Sequence, residues 1–425
     1  MAENTTSPGS FDAAGEQQLR ELQEFLLFLG SALTAAGEAV NQIEERLVRV
    51  ATAYGAPHAR VSVLPTYLVL AMEPGRPATL EPTQQLRGGL RLDQTAAVYE
   101  VLRAAEQGRT PPVAGSRRVR AIVDMPPRFS PAVQVLGHAV LTSGICLILQ
   151  PTRGDLILAL LFGLLVGAAK LAGARWSSVQ MIMPFAAAFT VAAITFVLAD
   201  TGWADADLRA MVAPLTTFLP GAMLTMAVIE VSAAQLVTGA SRLVAGVLQL
   251  LLLTFGILGA TQAVGLPRSV RLDIVPQNML GNWAPWLGVL VVGIGTYLLH
   301  SGPPRTLGWL CLVLYAGWIG QYVGGLTFGG YLSGFVGAIT LTVTACLVER
   351  RPGAPPALVS FLPGFWLLVP GALTLIGMTE YLSQNSVGAE DLIGAVASMV
   401  AVALGVLCGH PVYRALDRRM QNSPS

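Results

Sequence analysis

From Pro131 onward the chain alternates long apolar runs with short polar or Pro/Gly-rich connectors. Ten runs read as bilayer-crossing helices, at 131–149, 153–172, 178–199, 208–236, 240–264, 284–300, 305–323, 329–348, 357–383 and 389–410. Most approach the roughly 20 apolar residues that span a hydrocarbon core. The fourth and ninth are longer than a straight helix needs, and each carries Pro-Gly inside it. Before Pro131 the pattern differs. Leu19, Leu22, Phe25, Leu26, Leu29 and Leu33, then Val40, Ile43, Leu47 and Val50, recur at three and four. This predicts helix from Glu16 to Tyr54, with Gly30 and Gly37 as points of close packing or kinking and Tyr54-Gly55-Ala56-Pro57 as its stop. A strand interrupted at Pro65 is expected over 59–72, and a second near 78–90. Helices follow at 92–106 and 116–124.

Composition sharpens this picture. The 425 residues are 53% hydrophobic and 12% charged, with mean hydropathy +0.60, which excludes an ordinary soluble protein. The 45 glycines suit helices that pack closely in lipid. A net charge of +1 implies no nucleic-acid partner. Cys146, Cys311, Cys346 and Cys408 are scattered through apolar runs and form neither a disulfide framework nor a zinc pattern. No metal, cofactor or catalytic group is expected. The polar start has no apolar core, so no cleaved signal is expected and the first span serves for targeting.

One phrase occurs twice. Pro220-Gly221-Ala222 leading to Glu230 returns as Pro370-Gly371-Ala372 leading to Glu380, 150 residues on. Leu136-Gly137 with Gly144 matches Leu287-Gly288 with Gly295 at 151. Phe185-Ala186-Ala187-Ala188 matches Phe335-Val336-Gly337-Ala338 at 150, and Gly239-Ala240 with Leu243 matches Gly388-Ala389 with Leu392 at 149. Each copy holds five spans, and an odd number inverts the second copy in the membrane. The expected architecture is therefore an α-helical polytopic membrane protein: ten transmembrane helices as two inverted five-helix repeats, with a small N-terminal cytosolic α+β domain. Its segments are a disordered 1–15, the cytosolic domain at 16–128, repeat 1 at 129–265, an extracytoplasmic loop at 266–283, repeat 2 at 284–411 and a cytosolic tail at 412–425.

Basic residues set the orientation. With the N-terminal domain inside, Lys170, Arg175, Arg242, Arg305, Arg350, Arg351, Arg414, Arg418 and Arg419 lie on the inner side, against Arg153, Arg209, Arg268 and Arg271 outside. Both termini are then cytoplasmic.

Candidate chemistry is sparse. Proline removes a backbone donor and glycine loosens the chain. Pro220-Gly221 and Pro370-Gly371 are thus either packed kinks or breaks whose freed backbone lines a substrate site. Glu230 and Glu380 either reach the interface or face inward, binding a substrate ammonium or carrying a coupling proton. Lys170 reads as an anchoring cation or a lining residue, and Gln321 lies at or beside its repeat position. Thr142, Ser143 and Thr340 are possible polar lining, although such hydroxyls usually bond their own helix. His138 is expected to pack. No Walker A, G-x-S-x-G or H-E-x-x-H motif occurs.

These residues resemble a known family. Ala35-Ala36-Gly37-Glu38-Ala39-Val40, Ile43-Glu44-Glu45-Arg46, Tyr54-Gly55, Leu64-Pro65-Thr66, Leu92-Asp93, the run from Gly108 to Pro112 and Met125-Pro126-Pro127 are similar to the N-terminal domain of the threonine/serine exporter family. Phe218-Leu219-Pro220-Gly221-Ala222, Glu230 and Gly239-Ala240-Ser241-Arg242-Leu243 resemble its membrane motif, as do Leu368-Val369-Pro370-Gly371-Ala372 and Glu380. The resemblance implies a fused two-half exporter of threonine and serine in a bacterial inner membrane, driven by the proton motive force. Its partners would be a small amino acid, protons and the bilayer, and a homo-oligomer is allowed. Two alternatives stay open: a dicarboxylate (succinate-type) exporter, and a membrane-anchored hydrolase using Glu38, Glu44, Glu45, His58 or Asp93. Neutralising Glu230 or Glu380 should abolish efflux if they carry the coupling.

Overall fold

The computed structural model describes residues 13–73, 77–82, 89–200, 208–265, 280–368, 375, 378–379 and 388–422. The expectations for residues 1–12, for the loop at 266–279, and for Pro370, Gly371 and Glu380 lie outside the described residues. The chain divides into two compact units, Met1–Pro126 and Pro127–Ser425.

In the first unit the long N-terminal helical pattern resolves into α1 (Ala13–Ala36) and α2 (Val40–Ala53). Gly37 adopts φ 85° between them, a conformation glycine takes without a Cβ penalty, and this ends α1. Gly30 lies against Leu47 and Leu68, where a Cβ would collide with both side chains. Strands β1 (Arg60–Val63), β2 (Tyr67–Ala71) and β3 (Thr79–Pro82) form an antiparallel meander, with Arg60 opposite Ala71 and Tyr67 opposite Pro82. Pro65 falls in the turn between β1 and β2. Helix α3 is Leu92–Glu106 and α4 is Pro112–Val123; Pro112 starts α4 four residues earlier than expected because proline fits a first turn. Phe25, Leu29, Leu33, Ile43, Leu47, Leu68, Val98 and Leu102 close the core.

The second unit is helical: α5 (Pro131–Ile148), α6 (Arg153–Gly173), α7 (Ser177–Asp200), α8 (Leu208–Leu215), a 3-10 turn (Thr216–Phe218), α9 (Gly221–Ser232), α10 (Leu236–Val264), α11 (Ala284–Leu299), α12 (Leu307–Phe328), α13 (Gly330–Glu349), α14 (Ala357–Leu367) and α15 (Gly388–Asn422). Among the described residues seven helices are long and apolar enough to cross a membrane, or eight if the segments flanking Leu219-Pro220, bent by 48°, form one span. Helices α11 and α14 are shorter. The last helix runs past its expected end to Asn422, because the polar residues beyond Pro411 continue it, and Asp417 pairs with Arg350. The outer faces are apolar: Ile157, Leu161 and Leu165 of α6 are exposed while Leu158, Phe162 and Val166 are buried. Such a surface suits lipid.

Helices α5 and α11 cross antiparallel on glycine. Gly137 near the start of α5 meets Leu298 and Leu299 at the end of α11, and Gly288 near the start of α11 meets Ile148 at the end of α5. Gly144 lies on Val292, where an added Cβ would sit 2.6 Å from its backbone nitrogen, and Gly295 lies on Leu141. Gly144 and Gly295 are 151 residues apart, and so are Leu141 and Val292. Matched positions therefore exchange places across the crossing, as a local two-fold axis requires. Further contacts repeat. Gly256 of α10 sits on Phe185 and Ala188 of α7, and Gly405 of α15 sits on Phe335 and Ala338 of α13. Gln150 and Ser301, 151 apart, take positive φ (56° and 52°) just after α5 and α11.

Candidate functional site

The polar centre of the membrane unit lies at the break in its fourth apolar run. Leu219 is extended (ψ 127°), Pro220 stands at the N-cap of α9, and Gly221 is that helix's first residue. Pro220 cannot donate to the preceding turn, so α8 and α9 cannot join as one rod. The carbonyl of Phe218 is instead taken by Gln249 Nε2 of α10 at 2.5 Å. Helix α10 comes this close because Gly246 faces Pro220 and Leu224.

Three polar side chains meet on the turn before the break. Lys170 Nζ donates to Thr217 Oγ1 at 2.8 Å, and His138 Nε2 lies 3.1 Å from the same oxygen. His138 Nδ1 is 2.9 Å from Gly163 O, a carbonyl that only accepts, so Nδ1 carries a proton. In the neutral ring Nε2 then accepts from the Thr217 hydroxyl, which in turn accepts from Lys170. His138 is buried, and Lys170 and Thr217 are partly buried. The ammonium also stands 4.8 Å from the centre of the Phe218 ring. A cation–π contact stabilises it by about 0.5–2 kcal/mol, well short of the cost of a desolvated charge. Among the described residues no carboxylate pairs with Lys170.

Across from this turn, His300 follows α11 and packs on Trp366 of α14, with ring centroids 5.1 Å apart. Its Nε2 is buried with no hydrogen-bond partner among the described residues, and the preceding Leu299 packs on Gly137, next to His138.

The other sequence candidates fall elsewhere. Glu230 is fully buried, and Arg242 Nε donates to both its oxygens, at 3.1 and 2.9 Å. The pair joins the arms of the α9–α10 hairpin, so Glu230 does not reach water and Arg242 is not a free loop charge. Thr142, Ser143 and Thr340 bond carbonyls of their own helices, those of His138, Ala139 and Gly337. Gln321 Nε2 reaches Leu368 O at 3.4 Å, and its Oε1 is buried without a partner among the described residues. Sequence reasoning missed Thr217, Gln249 and His300 and took His138 for packing. The available signal was a hydroxyl three residues before Pro220.

In the first unit, the acids considered for hydrolysis are held by ion pairs and backbone, with Glu38 and Glu45 in one network through Arg46, Glu106 and Arg49. Glu38 binds Arg46 at 2.6 Å, Glu44 accepts from Val63 N at 2.9 Å, Glu45 pairs with Arg49 and Asp93 with Arg91. Burial opposes the Arg46 charge, but Glu38, Tyr99 and Glu106 outweigh it and hold that guanidinium above its ordinary pKa.

Fold and site together define a multi-helix membrane protein with a broken helix at its polar centre. The chain belongs to the ThrE family: that family's model, described as "Putative threonine/serine exporter", matches residues 24–264, more than half of the chain. The match takes in the N-terminal unit and the helices through α10, with His138, Lys170, Thr217 and the Glu230–Arg242 pair. No curated protein and no solved structure matches the chain.

Proposed function

We propose that this protein is a secondary exporter of threonine and serine, driven by the proton motive force, with ten spans in two inverted five-helix halves that alternate access. The observation that carries the reading is the antiparallel α5–α11 crossing, where residues 151 apart swap places. An in-plane two-fold axis lets one half adopt the conformation of the other, which is a physical route to opening on either side. The shorter α11 and α14 are then counted as spans, with both termini cytoplasmic in a bacterial inner membrane. Family membership supports the substrate class. The Pro220-Gly221 break, with Pro370-Gly371 as its counterpart, provides the lining, and Glu380 is the better-suited coupling carboxylate because Glu230 is already paired with Arg242.

The decisive experiment is efflux from proteoliposomes loaded with threonine, serine or succinate under an imposed pH gradient. Gradient-dependent loss of threonine and serine is expected. Efflux unaffected by collapse of the gradient would refute active export. The cationic cluster favours one second reading, a dicarboxylate exporter, and preferential succinate efflux would select it.

A further inference from the structure

We propose that Lys170, Thr217 and His138 form the docking site for the carboxylate of the transported solute, closed from the second half by His300.

Four observations converge. Lys170 has three N–H donors and, among the described residues, spends one on Thr217, leaving two. Thr217 and His138 then fix the ammonium in place, because the hydroxyl that accepts from Lys170 is itself held by a ring anchored on Gly163 O. The third is the start of α9. It begins at Gly221, four residues after Thr217, with no side-chain cap, so its first N–H groups and its dipole favour an anion. The last is His300 Nε2, buried and without a partner among the described residues, one residue past Leu299, which packs on Gly137 next to His138. A planar carboxylate would supply acceptors to the two spare ammonium hydrogens and compensate a charge that no carboxylate pairs with among the described residues. The site spans both halves, with α5, α6 and the break on one side and the ends of α11 and α14 on the other. Filling it would tie the halves together, as a solute carried between them must.

The identity of the solute rests on the exporter reading, but the existence of an anion site does not. The test uses full-length protein in detergent and in proteoliposomes. Threonine, serine and succinate should raise the Tm of the wild type. Threoninamide keeps the ammonium and hydroxyl but lacks the carboxylate, and should not. Lys170→Gln should weaken threonine binding by about tenfold or more, a full decade in Kd. Lys170→Arg should keep the Tm shift, and Thr217→Val should raise KM with little change in maximal rate. Threoninamide binding as well as threonine would overturn the proposal. So would threonine affinity in Lys170→Gln within about twofold of wild type. Recovery of wild-type affinity in Lys170→Gln/Glu380→Gln would make Lys170 a counter-ion to Glu380 and overturn it too. If Lys170→Gln does not fold, Lys170→Arg, Thr217→Val and threoninamide decide. A wild type that exports no amino acid, yet is stabilised by succinate through Lys170, would sink the exporter reading and leave the site standing.

Discussion

The two Pro-Gly runs carry the same phrase, but the residues just before them meet different chemistry. Before Pro220, Thr217 meets a lysine and a histidine, and the carbonyl of Phe218 meets Gln249 from α10. In the second half the counterpart of Phe218 is Leu368, 150 residues on, and its carbonyl takes a bond from Gln321 of α12. The counterpart of Thr217 is Leu367, which has no hydroxyl. A glutamine bonds the carbonyl two residues before each Pro-Gly, while the side chain three residues before it is a hydroxyl in one half and an aliphatic chain in the other. Matched glycine contacts along α5–α11 thus coexist with unlike side chains at matched positions before the two Pro-Gly phrases.

The glutamates diverge in the same way, and they set the largest expected effects. At the repeat offset of 149, the sequence counterpart of Arg242 is Asp391, an acid in place of the guanidinium that pairs with Glu230. Glu380→Gln should abolish gradient-driven efflux with the Tm preserved. Glu230→Gln should act on stability, because it strips the partner from Arg242. Breaking a buried pair costs roughly 3–5 kcal/mol, visible as a lower Tm, and Glu230→Gln/Arg242→Gln should recover part of it. A stable Glu230→Gln that has lost only proton coupling would reverse the assignment and restore the earlier expectation that both acids carry charge.

The pattern of legibility follows from chemistry. The apolar runs announced the membrane helices because lipid permits little else over that length. The break at Pro220 was readable because proline cannot continue a turn. The partner of Lys170 was not readable: Thr217 lies 47 residues away, and His138 lies 79 residues from Thr217. Only tertiary packing of α5, α6 and the break brings them together. Thr142, Ser143 and Thr340 were visible as polar groups in apolar helices, but their hydroxyls turn back to their own backbones. Glu230 was read as an interfacial or coupling acid because its partner sits beyond a tight turn at Ala233–Gln235, in a stretch that looks like an ordinary inner loop. In the first unit, Gly37-Glu38 and Tyr54 were legible as family motifs. Their jobs, ending α1, holding Arg46 and bonding Thr110, needed the fold.

A middle-sized effect tests the axis. Gly144→Leu and Gly295→Leu insert side chains at matched points of the α5–α11 crossing, where even a Cβ would strike the facing backbone. Overpacking of this kind typically costs about 1–3 kcal/mol. The two variants should lower the Tm by similar amounts and slow efflux similarly, because each disturbs the same contact from the opposite side. A large loss in one with none in the other would show that the crossing is symmetric in sequence but not in load.

The smallest effects separate the two breaks themselves. Gln249→Leu leaves Phe218 O without its 2.5 Å partner beside a helix stop. An orphaned buried acceptor costs about 1–3 kcal/mol. Gln321→Leu removes a 3.4 Å bond and also an Oε1 that has no partner, so loss and relief offset each other. The Tm should fall for Gln249→Leu and stay within about a degree for Gln321→Leu, since a near-zero free-energy change shifts a melting point little. Equal falls would mean that Phe218 O and Leu368 O lean on their glutamines alike.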